Sequence, residues 1–412
     1  MSPATIHARL TERALAGKYE LFLGLGGGLA ILGSILFLQS LAGEHAERAW
    51  QLFHVNWLYF TGLAGGSVAF AAVQKITNAK WSGLVIRFAE ASVAFLPLSL
   101  IGLVALYLVG WKLVRADLVP DMHATRGVAG PGRRSLFDRW TRHYDGTPAA
   151  ASAQEARIHR LAPTYAVLYA IVFSLVAFDG IMALQPHWFS NLLGGFYFMG
   201  SFLGAHMLLA LVSIYGAARL GISDLVSPKQ RHDLGKLAFG FTVFWTYLMW
   251  AQFLVIWYGN MPEETGFVFA RLWGEWRPVG AVVLIGMFII PFFGLLGVAP
   301  KKVRVTFAFF ATVSLVSLWL ERYLLVMPSV TALPGPIFEE PEAGPTLLFL
   351  GSYMLAYALF ARTFPMVSPR LAEITLDRER GHAVIAAEFE HEEGPRDYVP
   401  PELIERRERP RG

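Results

Sequence analysis

The sequence contains no cysteine and few charged residues. The absence of cysteine among its 412 residues excludes disulfide bridges, thiolate-bound iron–sulfur clusters and covalently attached c-type haem within this chain. We therefore expect no metal site and no covalent cofactor here, and any metal redox centre on a partner. Charged residues make up only 16% of the chain and hydrophobic residues 55%, which is more apolar surface than a soluble domain can bury. The composition predicts an all-α polytopic membrane protein.

The excess of positive charge fits loops that stay in the cytoplasm. The formal net charge is +4 and the Lys and Arg residues cluster in particular loops, as the positive-inside rule describes. We therefore expect the lipid bilayer, and no nucleic acid, as the surroundings of this chain. Residues 1–19 form a polar lead without a small-residue cleavage site after an apolar core, which predicts that no signal peptide is removed.

Apolar runs of about 20 residues, the length that crosses a bilayer, predict nine spans. Three lie in residues 20–114 and six in 162–366, separated by an Arg/Gly-rich cytoplasmic loop at 115–161 and followed by a charged tail at 367–412. Pro97, near the middle of the third span, predicts a kink or tilt. The predicted spans are 20–42, 50–74, 82–112, 162–186, 190–217, 236–258, 278–298, 303–326 and 345–366.

The distribution of basic residues predicts which loops share a side. The insert at 115–160, the loops at 219–236 and 299–304 and the tail are basic, so they are expected in the cytoplasm. The QPHW loop, the 259–277 connection and the loop before the last span then face outward. Their tryptophans are expected at one interfacial belt; these are Trp188, Trp257, Trp273 and Trp276. Lys75 and Lys80 fall on the outer side in this scheme, against the rule.

Asp179 and His187 are candidates for proton or quinol chemistry. Asp179 stands in an otherwise apolar span, where a lone carboxylate either pairs or stays protonated. His187, in the QPHW loop, has an imidazole that could receive a proton released from a quinol. The simpler alternative is that a helix-end His and the neighbouring Trp anchor the interface.

Gln252, Glu263 and Glu264 are candidates near the end of the sixth span. Gln252 lies about two turns inside the span, so we expect its amide to be hydrogen-bonded. Glu263 and Glu264 follow in the loop and suit either a contact with another subunit or a solvated loop.

Two acid–base combinations lie inside spans. Glu321 and Arg322 are adjacent near the predicted end of the eighth span, and adjacent helix positions do not face each other, so each is expected to find another partner inside the bundle. Arg87 and Glu90 are spaced i, i+3 on the third span, which predicts a same-face ion pair.

His206 and His54 are the histidines inside spans. A lone helical histidine is usually hydrogen-bonded to a neighbour, and a haem held by two histidines needs the second at matching depth. His54 lies near the end of its own span, so intrinsic b-type haem is not the favoured prediction. The glycine-rich run Gly24 to Gly33 is typical of close helix packing, since no strand precedes it and no Lys follows it.

Three segments together resemble the F subunit of bacterial alternative complex III, an NrfD-like membrane subunit of a quinol:cytochrome c oxidoreductase. They are HVNWLYFTGLAGGSVAFAAVQKITNAKWSGLVIRFAEA from His54, FDGIMALQPHWFSNLLGGFYF from Phe178 and HDLGKLAFGFTVFWTYLMWAQFLVIWYGNMPEE from His232. The resemblance implies two four-helix bundles side by side, as in polysulfide-reductase-type subunits. Members of the family usually carry a further span where this chain has the Arg-rich insert.

The resemblance also implies partners and a location. The partners would be a larger NrfD-like homologue with the main quinol site, an iron–sulfur subunit, multihaem and monohaem cytochrome c subunits and small membrane subunits, in the bacterial cytoplasmic membrane. This chain would support assembly and conduct protons without its own redox centre. One alternative is that it binds menaquinol itself at the outer ends of spans four to six. Another is a secondary transporter, but no inverted repeat is evident.

Overall fold

The computed structural model describes residues 19–43, 46–79, 81–83, 85–110, 148–219, 221, 223, 226–331, 335, 336, 338, 340–363 and 366. The polar lead, the central part of the insert and the charged tail lie outside the described residues. Helices make up all the regular structure within these ranges, which confirms the all-α membrane architecture. The paired-bundle arrangement of NrfD-like proteins stays a prediction.

Ten longer helices, several of them irregular, lie in the described residues. The 3₁₀ turn in α3 ends at Phe95, two residues before Pro97, where the sequence predicts a kink or tilt. The helices are α1 (Glu20–Ala42); α2 (Ala46–Ile76); α3 (Val85–Ala91, a 3₁₀ turn at Ser92–Phe95, Leu96–Ala105 and a π turn at Leu106–Gly110); α4 (Pro148–Gly180); α5 (Leu192–Leu211, a π turn at Val212–Gly216 and Ala217–Arg219); α6 (Pro228–Gly259); α7 (Pro262–Leu272); α8 (Arg277–Leu284, a π turn at Ile285–Ile289 and Ile290–Leu296); α9 (Arg304–Val330); and α10 (Glu340–Thr363).

Eight helices in the described ranges are long and apolar enough to cross a membrane. The second predicted span, 50–74, forms the 31-residue helix α2, which is not among those eight. α2 packs against α1, α3, α4, α5, α9 and α10, so its side chains face protein rather than lipid. Its polar groups are bonded there: Asn56 donates to Thr346 Oγ1 at 3.2 Å and accepts from Trp319 Nε1 at 3.0 Å.

The helix ends fall into two groups. At the basic end, where α6 and α9 begin, Arg231 Nε donates to the carbonyl of Lys302 at 3.4 Å. At the opposite end, here called the tryptophan end, the Ser329 hydroxyl donates to Gln185 Oε1 at 3.3 Å. The predicted grouping is therefore confirmed for the loops at 219–236 and 299–304 at one end, and for the QPHW loop, the 259–277 connection and the loop before the last span at the other. For the tail and most of the insert, which lie outside the described residues, and for the side of the membrane that each end faces, it stays a prediction.

The first helices run differently from the prediction. α2 begins at the tryptophan end, because Gln51 Nε2 donates to the carbonyl of Val330 at 3.1 Å. Lys75 near the end of α2 therefore lies at the basic end, in agreement with the positive-inside rule; Lys80 lies outside the described residues.

Helices α3 and α4 both run from the basic end to the tryptophan end. Gly102, late in α3, faces Phe53 and Trp57 near the start of α2, and Gly180, at the end of α4, faces His54. α3 therefore ends at the tryptophan end, whereas α4 begins at the basic end. α4 also begins at Pro148, 14 residues before the predicted start at 162, because its Ala-rich first turns favour helix.

The glycine-rich run in α1 is used for helix packing, as predicted. α1 lies antiparallel against α10, and an added Cβ at Gly26 would stand 2.8 Å from the Leu355 amide nitrogen, while one at Gly33 would overlap the backbone of Leu348. Gly24, Gly27 and Gly28 would meet nothing within 4 Å. Two glycines of the run therefore hold the close contact.

Candidate functional site

Helix α9 places a buried acid–base pair inside the bundle. Arg322 Nη1 donates to both carboxylate oxygens of Glu321, at 2.7 and 3.0 Å, and the residues are only 1% and 3% exposed. The prediction that these neighbours cannot face each other was wrong. The arginine side chain is long enough to fold back along the helix, and in a site closed to water the adjacent carboxylate is the charge partner it can reach.

Arg322 has a second set of partners on α5. Its Nη2 donates to the carbonyl of Tyr197 at 3.1 Å and to Ser201 Oγ at 3.2 Å, and its guanidinium lies 4.3 Å from the centre of the Tyr197 ring. Gly200 leaves the space for it, since an added Cβ there would stand 3.1 Å from Arg322 Nη2. The cation is therefore held by α5 as well as by Glu321.

The pair lies deeper than the sequence suggested. α9 continues to Val330, so Glu321 stands nine residues, or about 13 Å, before the end of its helix rather than one turn below it. A charged pair at this depth is costly unless it is enclosed and hydrogen-bonded, and both conditions are met here.

A cavity of about 610 Å³ lies beside the pair, between α5, α6, α7, α8 and α9. α6 packs against the second half of α8, where Phe239 and Phe292 stack at 5.4 Å. It has no comparable packing against Arg277–Leu284, so the two helices diverge toward the tryptophan end. The cavity is the resulting cleft, and Trp250 on its wall is 51% exposed.

The cavity wall is apolar apart from a few groups. Glu321 and the predicted Gln252 belong to it, together with Thr246, Arg271 and Arg277. Gln252 is half-buried, and its amide makes no hydrogen bond to any residue in the described ranges, against the prediction that it would be bonded. It instead faces the cleft.

Arg271 is a buried cation that the sequence reading missed. Its Nη1 donates to the carbonyl of Phe267 at 3.0 Å, and its Nη2 donates to the carbonyl of Leu325 at 2.7 Å and to Ser329 Oγ at 2.6 Å. No carboxylate within the described part of the chain pairs with it. Burial lowers the pKa of its guanidinium to about 9, so it is still charged at neutral pH.

Phe267 carries Arg271 on one face and Trp188 on the other. The guanidinium carbon is 3.4 Å from the ring centre, and the Trp188 ring stacks at 3.6 Å with an interplanar angle of 5°, so the two must occupy opposite faces. Trp188 and Trp276 are only 2% and 6% exposed. Trp188 therefore packs on α7 and Trp276 on Tyr323 of α9, inside the protein and not in the predicted interfacial belt.

Asp179 and His187 are not brought into the cavity. Both are exposed, and neither lines the cleft. α4 ends at Gly180, earlier than the predicted 186, so Asp179 lies at the helix end rather than one and a half turns inside. Glu263 and Glu264 lie in the first turn of α7, where acidic side chains stabilise a helix start.

His206 and His54 are buried but far apart. His206 Nδ1 lies 2.7 Å from the carbonyl of Phe202, as predicted for a lone helical histidine, while its Nε2 has no partner among the described residues. Its ring packs against Phe70 of α2 at 5.1 Å. His54 is 16 residues away from Phe70 on α2, about 24 Å along the helix, so the two histidines cannot ligate one haem.

The predicted pair on α3 forms. Arg87 Nη1 lies 2.5 Å from Glu90 Oε2, and both side chains are partly exposed. This confirms a same-face pair of structural type. No cluster of three or more His, Asp or Glu side chains that could hold a metal occurs in the part of the chain that the structure describes.

Two arginines of the cavity escaped the sequence reading for an identifiable reason. The prediction followed apolar spans, and Arg271 and Arg277 lie in the connection between two of them. A signal was present: Phe267 and Arg271 are spaced i, i+4 in the short segment FVFAR, which places a cation on the apolar face of a helix.

In a comparison with protein-family models and with curated proteins, nothing matches this chain.

Proposed function

We propose that this chain is an integral membrane subunit of a quinol:electron-acceptor oxidoreductase of the alternative complex III type, and that its Glu321–Arg322 pair relays protons. Eight apolar helices support a multi-pass membrane protein. The observation that carries the relay is an ionisable carboxylate that is almost fully buried and yet forms part of a cavity wall.

The pair is built to survive a change of charge. When Glu321 accepts a proton from the cavity side it becomes neutral, and the Arg322 cation keeps the carbonyl of Tyr197, Ser201 Oγ and the Tyr197 ring as partners. Without them, an unpaired buried cation would cost about 3–5 kcal/mol. Loss of the proton restores the ion pair, so both protonation states are accommodated.

Polar atoms without partners continue from the pair toward the basic end. His206 lies five residues beyond Ser201 on α5, about 7.5 Å along the helix, and its Nε2 is unpaired within the described structure. Gln74 Oε1, on α2 beyond Phe70, is likewise buried without a described partner. These groups support a proton route from the cavity through Glu321 to the basic end.

The resemblance supplies the rest of the proposal. It places the chain in the bacterial cytoplasmic membrane beside a larger NrfD-like homologue, an iron–sulfur subunit and cytochrome c subunits, which would receive the electrons. The alternative in which this chain binds menaquinol through Asp179 and His187 has less support, since both side chains are exposed and lie outside the cavity.

A chromosomal Glu321→Gln variant tests the relay in the native complex. The complex is purified from membranes, its subunits are identified, and quinol:cytochrome c turnover and proton release are measured in liposomes. We expect an assembled complex with proton-coupled turnover lowered about tenfold or more, and partial recovery in Glu321→Asp. Glu263→Gln, on an exposed acid, serves as the control.

Two results would contradict the proposal. Wild-type turnover and proton release in an intact Glu321→Gln complex would remove the relay role. Purification of the native chain without cytochrome and iron–sulfur partners would remove the assignment to a quinol-oxidising complex.

A further inference from the structure

The rim of the cavity at the tryptophan end is positively charged. Arg271 ends α7 and Arg277 begins α8, and both belong to the cavity wall. Arg277 is exposed, and neither residue makes an ion pair with any carboxylate in the described ranges. The cleft therefore carries two cations at the same mouth.

The neighbouring acids leave a net positive charge at this mouth. Glu321, deeper in the cleft, is already paired with Arg322. Glu275, two residues before Arg277, is exposed and makes no ion pair among the described residues. Glu263 and Glu264 lie at the other end of α7.

The depth and shape of the cleft match a lipid. Arg277 starts a membrane-spanning helix, and the ends of such helices lie at the level of lipid headgroups. Below it, the diverging α6 and α8 leave an apolar, laterally exposed wall that includes Leu284 and Phe253. An arginine at this level can hold a lipid phosphate through charge-assisted hydrogen bonds.

We propose that this cleft is a binding site for an anionic phospholipid. The phosphate lies against Arg277, with the buried charge of Arg271 behind it, and an acyl chain lies along the wall formed by α6 and α8. The two cations without carboxylates favour an anionic headgroup over a neutral quinol in the same space. The lipid shares the cavity with Glu321, but its retention does not require proton transfer through that carboxylate, so failure of the relay and failure of lipid binding are distinguishable.

The test is native mass spectrometry of the purified protein after exchange into nanodiscs of phosphatidylcholine with a rising fraction of phosphatidylglycerol. We expect one retained phosphatidylglycerol in preference to phosphatidylcholine, and a loss of about fivefold in retention in Arg277→Gln, equal to about 1 kcal/mol per arginine. Arg271→Gln is expected to lower retention similarly. Arg271→Lys keeps the positive charge and is expected to keep the lipid, and it replaces the glutamine variant in the test if that variant does not fold. Arg304→Gln, at the exposed start of α9, is the matched control.

Three outcomes would overturn the proposal. Equal retention in Arg277→Gln and wild type would show that the arginine does not hold the lipid. Retention of a quinone instead of a phospholipid would assign the cleft to a neutral ligand. Displacement of the lipid by inorganic phosphate alone, with no effect of acyl chains, would reduce the site to a general anion site.

Discussion

Replacing the two members of the α9 pair singly and together should reveal their coupling. Arg322 makes four hydrogen bonds, two to Glu321 and two to α5, and is 1% exposed. Arg322→Met leaves a buried carboxylate without a charge partner and should lower the free energy of unfolding by about 3–5 kcal/mol. Glu321→Met should cost less, because the Arg322 cation keeps its partners on α5. The double variant removes both charges, so its cost should fall about 2–3 kcal/mol short of the sum of the singles.

The measurement is SDS-driven unfolding of the purified protein in mild detergent, followed by tryptophan fluorescence. Arg87 and Glu90 give a control cycle, because the same residue types pair at a partly exposed position and should couple by less than about 1 kcal/mol. Additive effects of the α9 substitutions would refute the reasoning, since they would mean that the two charges are compensated separately. If the isolated chain does not unfold cooperatively, the same variants are measured in the purified complex.

Two further predictions concern the helix arrangement. Gly33→Ala should lower the thermal midpoint and cost about 1–3 kcal/mol of stability, because the added Cβ overlaps the backbone of α10. The control is Gly28→Ala, whose Cβ meets nothing within 4 Å and which should be neutral or slightly stabilising. Equal effects of the two substitutions would contradict the close contact. Because the chain has no cysteine, single cysteines can map its sides: Lys75→Cys and Lys302→Cys should react with an impermeant thiol reagent from one side of the membrane and His187→Cys from the other. Reaction of Lys75→Cys from the side of His187→Cys would refute the helix directions found here.

The sequence was sufficient for features that depend on local spacing. Apolar length predicted the helices, charge predicted which loops share an end, and the i, i+3 spacing predicted the Arg87–Glu90 pair. The Glu321–Arg322 pair could not be predicted in the same way, because helix spacing describes where side chains start and not where a long arginine can reach. Whether Arg322 folds back depends on the walls that α5 places around it.

The directions of the first helices show a second limit of the sequence. Counting apolar spans assumes that each loop between spans returns to the side from which it started. α3 and α4 lie in the same direction, and the residues between them are too polar to be counted as a span. Because α3 and α4 lie in the same direction, α2 runs opposite to the predicted direction. Lys75 at its end then lies at the basic end, where it agrees with the positive-inside rule.

Helix α2 explains why apolarity alone gives a poor account of this protein. An apolar surface is required where a helix meets lipid, whereas a helix enclosed by six others can carry polar groups as long as each finds a partner. Asn56 has such partners on α9 and α10, and Arg322 has them on α9 and α5. α1, whose apolar stretch is the least buried of the eight, is more apolar than α5 and α9, which are mostly buried. The most enclosed helices carry the groups that could do chemistry, so in a protein of this kind a polar residue on a weakly apolar helix is the better guide to function.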